Sequence, residues 1–169
     1  MLKELVRDVP DFPKEGIIFK DITPLFRNPS SLKEIVDKIS AHYVGKEIDV
    51  VVGAEARGFL IGPSVAMKLN AGFVPIRKPG KLPCETATMT YELEYGTDTL
   101  AIHKDAISKN DTVLMVDDLL ATGGTMAASC ALVESLGGKI AGCAFIIELD
   151  FLHGKKKLEK FDIFSLINY

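Results

Sequence analysis

What the chain has little of sets its class first. Its 169 residues hold only three cysteines, Cys84, Cys130 and Cys143. The number is odd and no C-x-x-C spacing occurs, which argues against a disulfide framework and a thiolate zinc site and leaves free thiols suited to a reducing compartment. No apolar stretch approaches the ~18 residues that a membrane-spanning helix requires. The opening MLKELVRDVPDF is charged and has neither the apolar core nor the cleavage site of a secretory signal, so a cytoplasmic location is expected, without membrane partners. Basic charge is not in excess either. The formal net charge is -3 and the sequence pI about 5.6, which argues against nucleic acid as a partner yet leaves room for a local anion site. The three histidines, His42, His103 and His153, are scattered and make a poor metal set. Repeats, low-complexity tracts and linkers are absent, and the length fits one domain, 1–169.

What is present has the rhythm of an α/β fold. Pro10, Pro13, Gly16, Pro24 and Pro29 punctuate the first 30 residues, which are expected to be irregular. Leu32, Ile35, Val36, Ile39 and Tyr43 recur at helical intervals, and Ser31 and Glu34 have capping-box spacing. Residues 48–52 read as a buried strand, 58–69 as a helix with Pro63 tolerable only near its first turn, and 73–76 as a second strand. Residues 77–90 are basic and polar and read as a mobile loop. A hairpin, 91–93 with 97–102, follows around Glu94-Tyr95-Gly96. Strand 112–116, helix 125–136 closed by Gly137-Gly138, strand 140–147 and a last strand 163–167 complete the pass. Strands alternating with helices predict a mainly parallel sheet covered on both faces, with ligands beyond the carboxyl ends of the strands.

The most informative string is VLMVDDLLATGGT, residues 113–125. An apolar strand runs into Asp117 and Asp118; then Ala121, Thr122, Gly123, Gly124 and Thr125 lead into a helix. Glycines at a helix N-terminus let backbone N–H groups close round an anion, and the two threonines add hydroxyls. The string has neither the G-x-x-x-x-G-K-[ST] of a Walker loop nor the G-x-G-x-x-G of a dinucleotide site. Two acids beside a phosphate cradle make sense when the ligand carries hydroxyls near its phosphate, as a ribose 5-phosphate does, because carboxylates accept from hydroxyl donors. The bland alternative is one capping acid and one solvated acid.

This string resembles the phosphoribosyl-pyrophosphate (PRPP) motif of the type I phosphoribosyltransferases. PDFPKEGIIFKDITPLF (10–26), GAEARGFLIG (53–62), IRKPGKLP (76–83) and YELEYG (91–96) match in order and carry the resemblance, over nearly the full length, to the adenine-specific branch of that family. The resemblance implies a type I phosphoribosyltransferase fold with a small N-terminal hood (1–30) for base recognition, a flexible loop and hairpin (77–102), and transfer of the 5-phosphoribosyl group from PRPP to adenine, giving AMP and pyrophosphate in purine salvage. It also implies magnesium bound mainly through PRPP and pyrophosphate, with no dedicated protein metal site, and a homodimer. By similarity Asp117 and Asp118 take the ribose hydroxyls and Ala121 to Thr125 the 5-phosphate. Glu55, Ala56 and Arg57, with Arg77, Lys78 and Lys81, fall to pyrophosphate, the family often having a non-proline cis peptide in the first of these segments. Glu94 is the expected catalytic residue, and Ile18, Phe19, Lys20 and Leu149 line the adenine pocket.

Taken alone, several of these residues read differently. Arg57 is then a surface arginine, the basic run a solvated face, Glu94 a hairpin-turn acid, and Phe19 equally a core aromatic or a stacking face. Glu94 is open between stabilising positive charge on the sugar and managing a proton on the purine. Lys20 stands where the family commonly has arginine and Glu15 where it has proline; lysine does not reproduce a planar guanidinium, whereas backbone contacts survive the change. Three other functions compete: a non-catalytic PRPP-binding regulator, which needs a DNA-binding face that the charge does not supply; a receiver-type signalling domain, whose acid pair should close the first strand; and a transferase for hypoxanthine, guanine or xanthine, differing only in the base pocket.

Overall fold

The computed structural model describes residues 2–93 and 96–169. The opening is more regular than its prolines predict. A short helix, α1 (Leu2–Leu5), precedes an antiparallel ribbon of β1 (Arg7–Pro10) and β2 (Ile18–Asp21). The ribbon is compatible with Pro10 and Pro13 because one ends a strand and the other lies in the turn, where no ladder N–H is required. After α2 (Thr23–Arg27), helix α3 (Pro29–His42) begins earlier than the Ser31–Glu34 spacing predicts. Asn28 is the cap: its side-chain oxygen accepts from the Ser30 and Ser31 N–H groups at 3.0 and 3.1 Å. Pro29 fits the first helical position, and Ser31 is buried inside the helix.

Next come β3 (Val50–Ala54), a 3-10 turn (Arg57–Leu60), α4 (Gly62–Leu69) and β4 (Gly72–Ile76). The single helix expected over 58–69 is therefore split, with Pro63 in the first turn of α4 where a missing N–H costs nothing. The hairpin is β5 (Thr86–Glu92) with β6 (Thr97–His103). Its first strand starts at Thr86 rather than Tyr91, because TATMTYE alternates: Ala87, Met89 and Tyr91 pack on the core while Thr88, Thr90 and Glu92 are exposed.

The remaining elements are β7 (Thr112–Leu120), α5 (Gly124–Ser135), β8 (Lys139–Glu148) and β9 (Ile163–Asn168), with 3-10 turns at Asp150–Leu152 and Gly154–Leu158 between the last two. Strand β7 runs four residues further than expected. Asp117 pairs with Phe145 and Leu120 with Glu148, so the acid pair lies on the strand and not in the loop after it.

Among the described residues one five-stranded sheet runs in the order β4-β3-β7-β8-β9, every neighbouring pair parallel. Period-2 alternation sends successive β7 residues to opposite layers. Leu114 and Val116 join Ile35 and Ile39 from α3, Val65 from α4, and Ile61 just before α4. Val113 and Met115 join Met126, Cys130 and Val133 from α5 and Leu100 and Ile102 from the hairpin. Burying each such side chain contributes about 1.5–3 kcal/mol. All three cysteines are free, the buried Cys130 and Cys143 with sulfurs 3.7 Å apart.

Candidate functional site

The chain leaves β3 towards β4 on one side of the sheet and later adds β7 on the other, so a crevice opens beyond the carboxyl ends of β3 and β7. It is a cleft of about 260 Å³ lined by Glu55, Ala56, Arg57, Asp117, Asp118 and residues 119–126. The two strings that the sequence sets about sixty residues apart thus share one wall, because β3 and β7 are bonded neighbours. The peptide between Glu55 and Ala56 is cis.

The floor is electrostatically unusual. Asp118 is only 4% exposed. Its N–H donates to Asp117 Oδ1 at 2.9 Å. Arg57 Nε lies 3.1 Å from Asp118 Oδ2. Burial pushes both carboxyls above the ordinary range; the neighbouring Asp118 charge adds to the rise at Asp117, and Arg57 opposes the rise at Asp118. One buried and one half-buried acid with one guanidinium form a site that gains from hydroxyl donors or a further cation.

Beside the acids the backbone turns into α5. Gly123 has φ +77°, and a Cβ built on it would lie 2.5 Å from the Gly154 carbonyl oxygen. A Cβ on Gly154 would in turn lie 2.2 Å from the Ala121 oxygen. The loop is therefore clamped against the 3-10 turn between β8 and β9 at a contact only glycine permits. No side chain caps α5. Its first N–H groups face the cleft end, the arrangement that receives an anion. Leu119, Leu120 and Met126 also line the cleft and were not anticipated; apolar residues in an apolar string carry no sequence signal of that role.

The basic run stands to one side. Arg77 donates through Nε and Nη2 to the Glu55 carboxylate at 3.2 and 3.4 Å, and through Nη1 to the Lys81 carbonyl at 3.2 Å. The Lys78 N–H donates to Glu55 at 3.1 Å. These contacts, led by the Lys78 N–H, hold the Glu55 carboxyl below its usual range. Glu55 therefore orients Arg77. Lys78 Nζ is paired with Asp98, and the Lys81 side chain is exposed. Arg77, Lys78 and Lys81 do not line the cleft; the Arg77 side chain and the Lys78 N–H are tied to it through Glu55, and Lys81 through its carbonyl on Arg77. Glu94 lies outside the described residues. Next to it, the Leu93 N–H donates to the Gly96 carbonyl at 2.9 Å.

On the opposite side the ribbon approaches. Phe19 belongs to neither core cluster. Its ring meets Phe12 edge-on at 5.2 Å, and the Arg57 guanidinium stands 5.6 Å from its centroid. Ile18 is 59% exposed. Lys20 pairs with Asp8 at 2.6 Å and lies over the Tyr169 ring at 4.1 Å. Leu149 is half-buried, its N–H donating to the Leu120 carbonyl at 2.9 Å, which sets it beside the start of the glycine loop. Tyr91 was not anticipated as a site neighbour: its hydroxyl lies 3.0 Å from Thr125 Oγ1 and 3.2 Å from Asp98 Oδ2.

Comparison with known proteins agrees with this geometry. The model of the phosphoribosyl transferase domain family matches residues 22–168. An adenine phosphoribosyltransferase of Koribacter versatilis is 60% identical over 168 residues, 99% of this chain and 92% of that protein. The crystal structure of adenine phosphoribosyltransferase from Thermoanaerobacter pseudethanolicus superposes with a TM-score of 0.96 at 52% identity, covering 99% of this chain and 98% of that one. That from Saccharomyces cerevisiae, complexed with the bisphosphate D-DIAB and adenine, gives 0.93 at 46% identity, covering 98% and 96%.

Proposed function

The chain belongs to the phosphoribosyl transferase domain family, and within it to the adenine phosphoribosyltransferases; from that premise we propose how its cleft divides the work of the reaction. The enzyme transfers the 5-phosphoribosyl group of PRPP to adenine, forming AMP and releasing pyrophosphate. The observation that carries the reading is the union, in one cleft, of an adjacent acid pair and an uncapped glycine-loop helix N-terminus.

Residues Ala121 to Thr125 wrap the 5-phosphate with backbone N–H groups and the Thr122 and Thr125 hydroxyls. Asp117 and Asp118 accept from the ribose hydroxyls, which restores to the buried carboxylates donors that water would otherwise supply. Both ends of the sugar are then fixed, and the anomeric carbon is held against the base. Ala56 and Arg57 approach the pyrophosphate, and Arg77, steered by Glu55, closes on it with Lys78 and Lys81. As the bond from the anomeric carbon to the pyrophosphate oxygen breaks, its electron pair leaves with pyrophosphate, and these cations stabilise the growing charge. Adenine N9 forms the new bond and loses its proton, which the departing pyrophosphate or solvent takes up. By likeness to the family, Glu94 is the catalytic residue, open between stabilising positive charge on the sugar and managing the purine proton.

Among the described residues no group of three His, Cys, Asp or Glu side chains could hold a metal by itself. The carboxylate oxygens of Asp117 and Asp118 are nevertheless the hard donors that magnesium prefers, and such a site suits an ion carried in largely by substrate oxygens. When bound, that ion supplies neutralisation of pyrophosphate charge. Phe19 offers adenine a face, backbone groups at Ile18 and Lys20 its polar edge, and Leu149 the other side. We read residues 1–30 as the hood, 77–102 as the flexible loop and hairpin, and the whole chain 1–169 as one domain acting as a cytoplasmic homodimer.

The test is nucleotide formation by purified protein with PRPP and magnesium, offered adenine, hypoxanthine, guanine and xanthine in parallel. AMP formation with little product from the 6-oxopurines is expected. Preference for a 6-oxopurine would keep the cleft and overturn the base pocket; PRPP binding without turnover of any base would point to a regulator.

A further inference from the structure

Tyr91 stands where the hairpin meets the phosphate loop. Its ring packs 3.7 Å from where a Cβ on Gly124 would lie. Its hydroxyl touches Thr125 Oγ1 at 3.0 Å and Asp98 Oδ2 at 3.2 Å. Asp98 has two other donors, the ammonium of Lys78 and the Thr99 N–H at 2.8 Å. Four side chains, Lys78, Asp98, Tyr91 and Thr125, therefore form one unbroken chain of contacts from the basic run to the N-terminus of α5.

Hydrogen counting gives this chain a direction. A threonine hydroxyl has one proton, and so has a phenol. An ionised phosphate only accepts. When Thr125 donates to a 5-phosphate, its contact with Tyr91 survives only if the tyrosine O–H donates to Thr125 Oγ1. Tyr91 then no longer donates to Asp98, and Asp98 can spare that donor because Lys78 and the Thr99 N–H remain. Burial keeps the phenol above its ordinary range, so the proton is present to be donated.

We propose that Tyr91 is a positioning residue whose O–H turns the single proton of the Thr125 hydroxyl toward the 5-phosphate of PRPP and AMP. The proposal rests on the phosphoribosyl-transfer reading above. Donors that receive a hydrogen bond while giving one are strengthened, and a preset hydroxyl loses no rotational freedom on binding.

The test uses the full-length enzyme and its Tyr91→Phe, Thr125→Ala and double variants, with kcat and both KM values, and AMP and adenosine binding by calorimetry. Phenylalanine keeps the ring packing and removes only the hydroxyl. In Tyr91→Phe the KM for PRPP and the Kd for AMP should rise about five- to tenfold, while the KM for adenine and the affinity for adenosine, which lacks the phosphate, stay unchanged. In the Thr125→Ala background the same substitution should have no further effect, since no proton is left to orient. Equal losses for AMP and adenosine, or an undiminished effect of Tyr91→Phe on top of Thr125→Ala, would overturn the proposal. A wild-type protein that turns over adenine but does not bind AMP more tightly than adenosine would also overturn it. A wild-type protein that binds neither PRPP nor AMP would overturn the transferase reading and this one together.

Discussion

The acids on β7 and the aromatic on β2, which the proposed reading sets against two parts of one substrate, lie in very different surroundings. Asp118 is 4% exposed on a strand bonded on both sides within the sheet. Phe19 lies on a two-stranded ribbon outside both core clusters, beside an Ile18 that is 59% exposed. The acid side, proposed for the sugar phosphate, is held by layers of packed side chains, so small displacements there are resisted by the whole sheet. The ribbon side, proposed for the base, is held by the Phe12–Phe19 contact, the Arg57 guanidinium and the Lys20–Asp8 pair. A rigid half suits a ligand part common to a whole family, and a lightly built half suits the part that differs between its members.

The largest test of this contrast is Asp118→Ala. It removes a carboxylate from the rigid half, so kcat/KM for PRPP should fall about 50-fold, the loss of a charge-assisted hydrogen bond; a drop of less than about threefold in initial-rate measurements would show that the acids are not gripping the ribose. Gly123→Ala attacks the same half through its backbone. The φ of +77° and the Gly154 oxygen 2.5 Å from the new Cβ should lower unfolding free energy by about 2 kcal/mol in urea titrations and raise the KM for PRPP about tenfold; unchanged values would mean that the clamp yields.

Asp117→Asn sharpens the contrast by separating stability from binding. The folded-state pKa of Asp117 is raised above 3.8. Its favourable contribution is therefore present below the unfolded value and lost as pH rises through the folded one. The asparagine variant escapes that loss. It should melt at a higher temperature than wild type at pH 7 without ligand, with the gap closing as pH falls toward 3.8; scanning calorimetry across pH reads this, and a constant gap would reject it. The smallest effect is expected in the other half. Lys20→Met breaks an ion pair whose partner Asp8 has a 58% exposed side chain. It should cost less than about 1 kcal/mol and, if backbone groups read the base, shift the KM for adenine less than about threefold.

What could be read from the sequence follows the same divide. The acid pair and glycine loop of the cleft were legible because their pattern is local: strand, acids, glycines and helix start lie within thirteen consecutive residues, 113–125. The parallel sheet was legible from alternating apolar strands and amphipathic helices. The first strand of the hairpin was masked because Thr86–Glu92 follows a basic stretch, and its period-2 pattern relies on small and medium side chains. Glu55 lines the cleft beside Ala56 and Arg57, and the part that its place in GAEARG does not reveal is that its carboxylate holds Arg77 and the Lys78 N–H. Tyr91 with Thr125, and Gly123 with Gly154, join elements far apart along the chain, and nothing in the spacing of either string encodes the other.

The strand order has a consequence for how the molecule is made. Strand β3 lies between β4 and β7, yet β7 leaves the ribosome long after both of its predecessors. A nascent chain that ends before Thr112 can pair β3 with β4 but leaves the other edge of β3 bare, with Val51 and Val52 uncovered. Synthesis thus passes through an interval in which the chain has a sticky edge and no cleft. Arrival of β7 ends both conditions in one step, because the strand that seals the edge also carries the acids and leads into the loop.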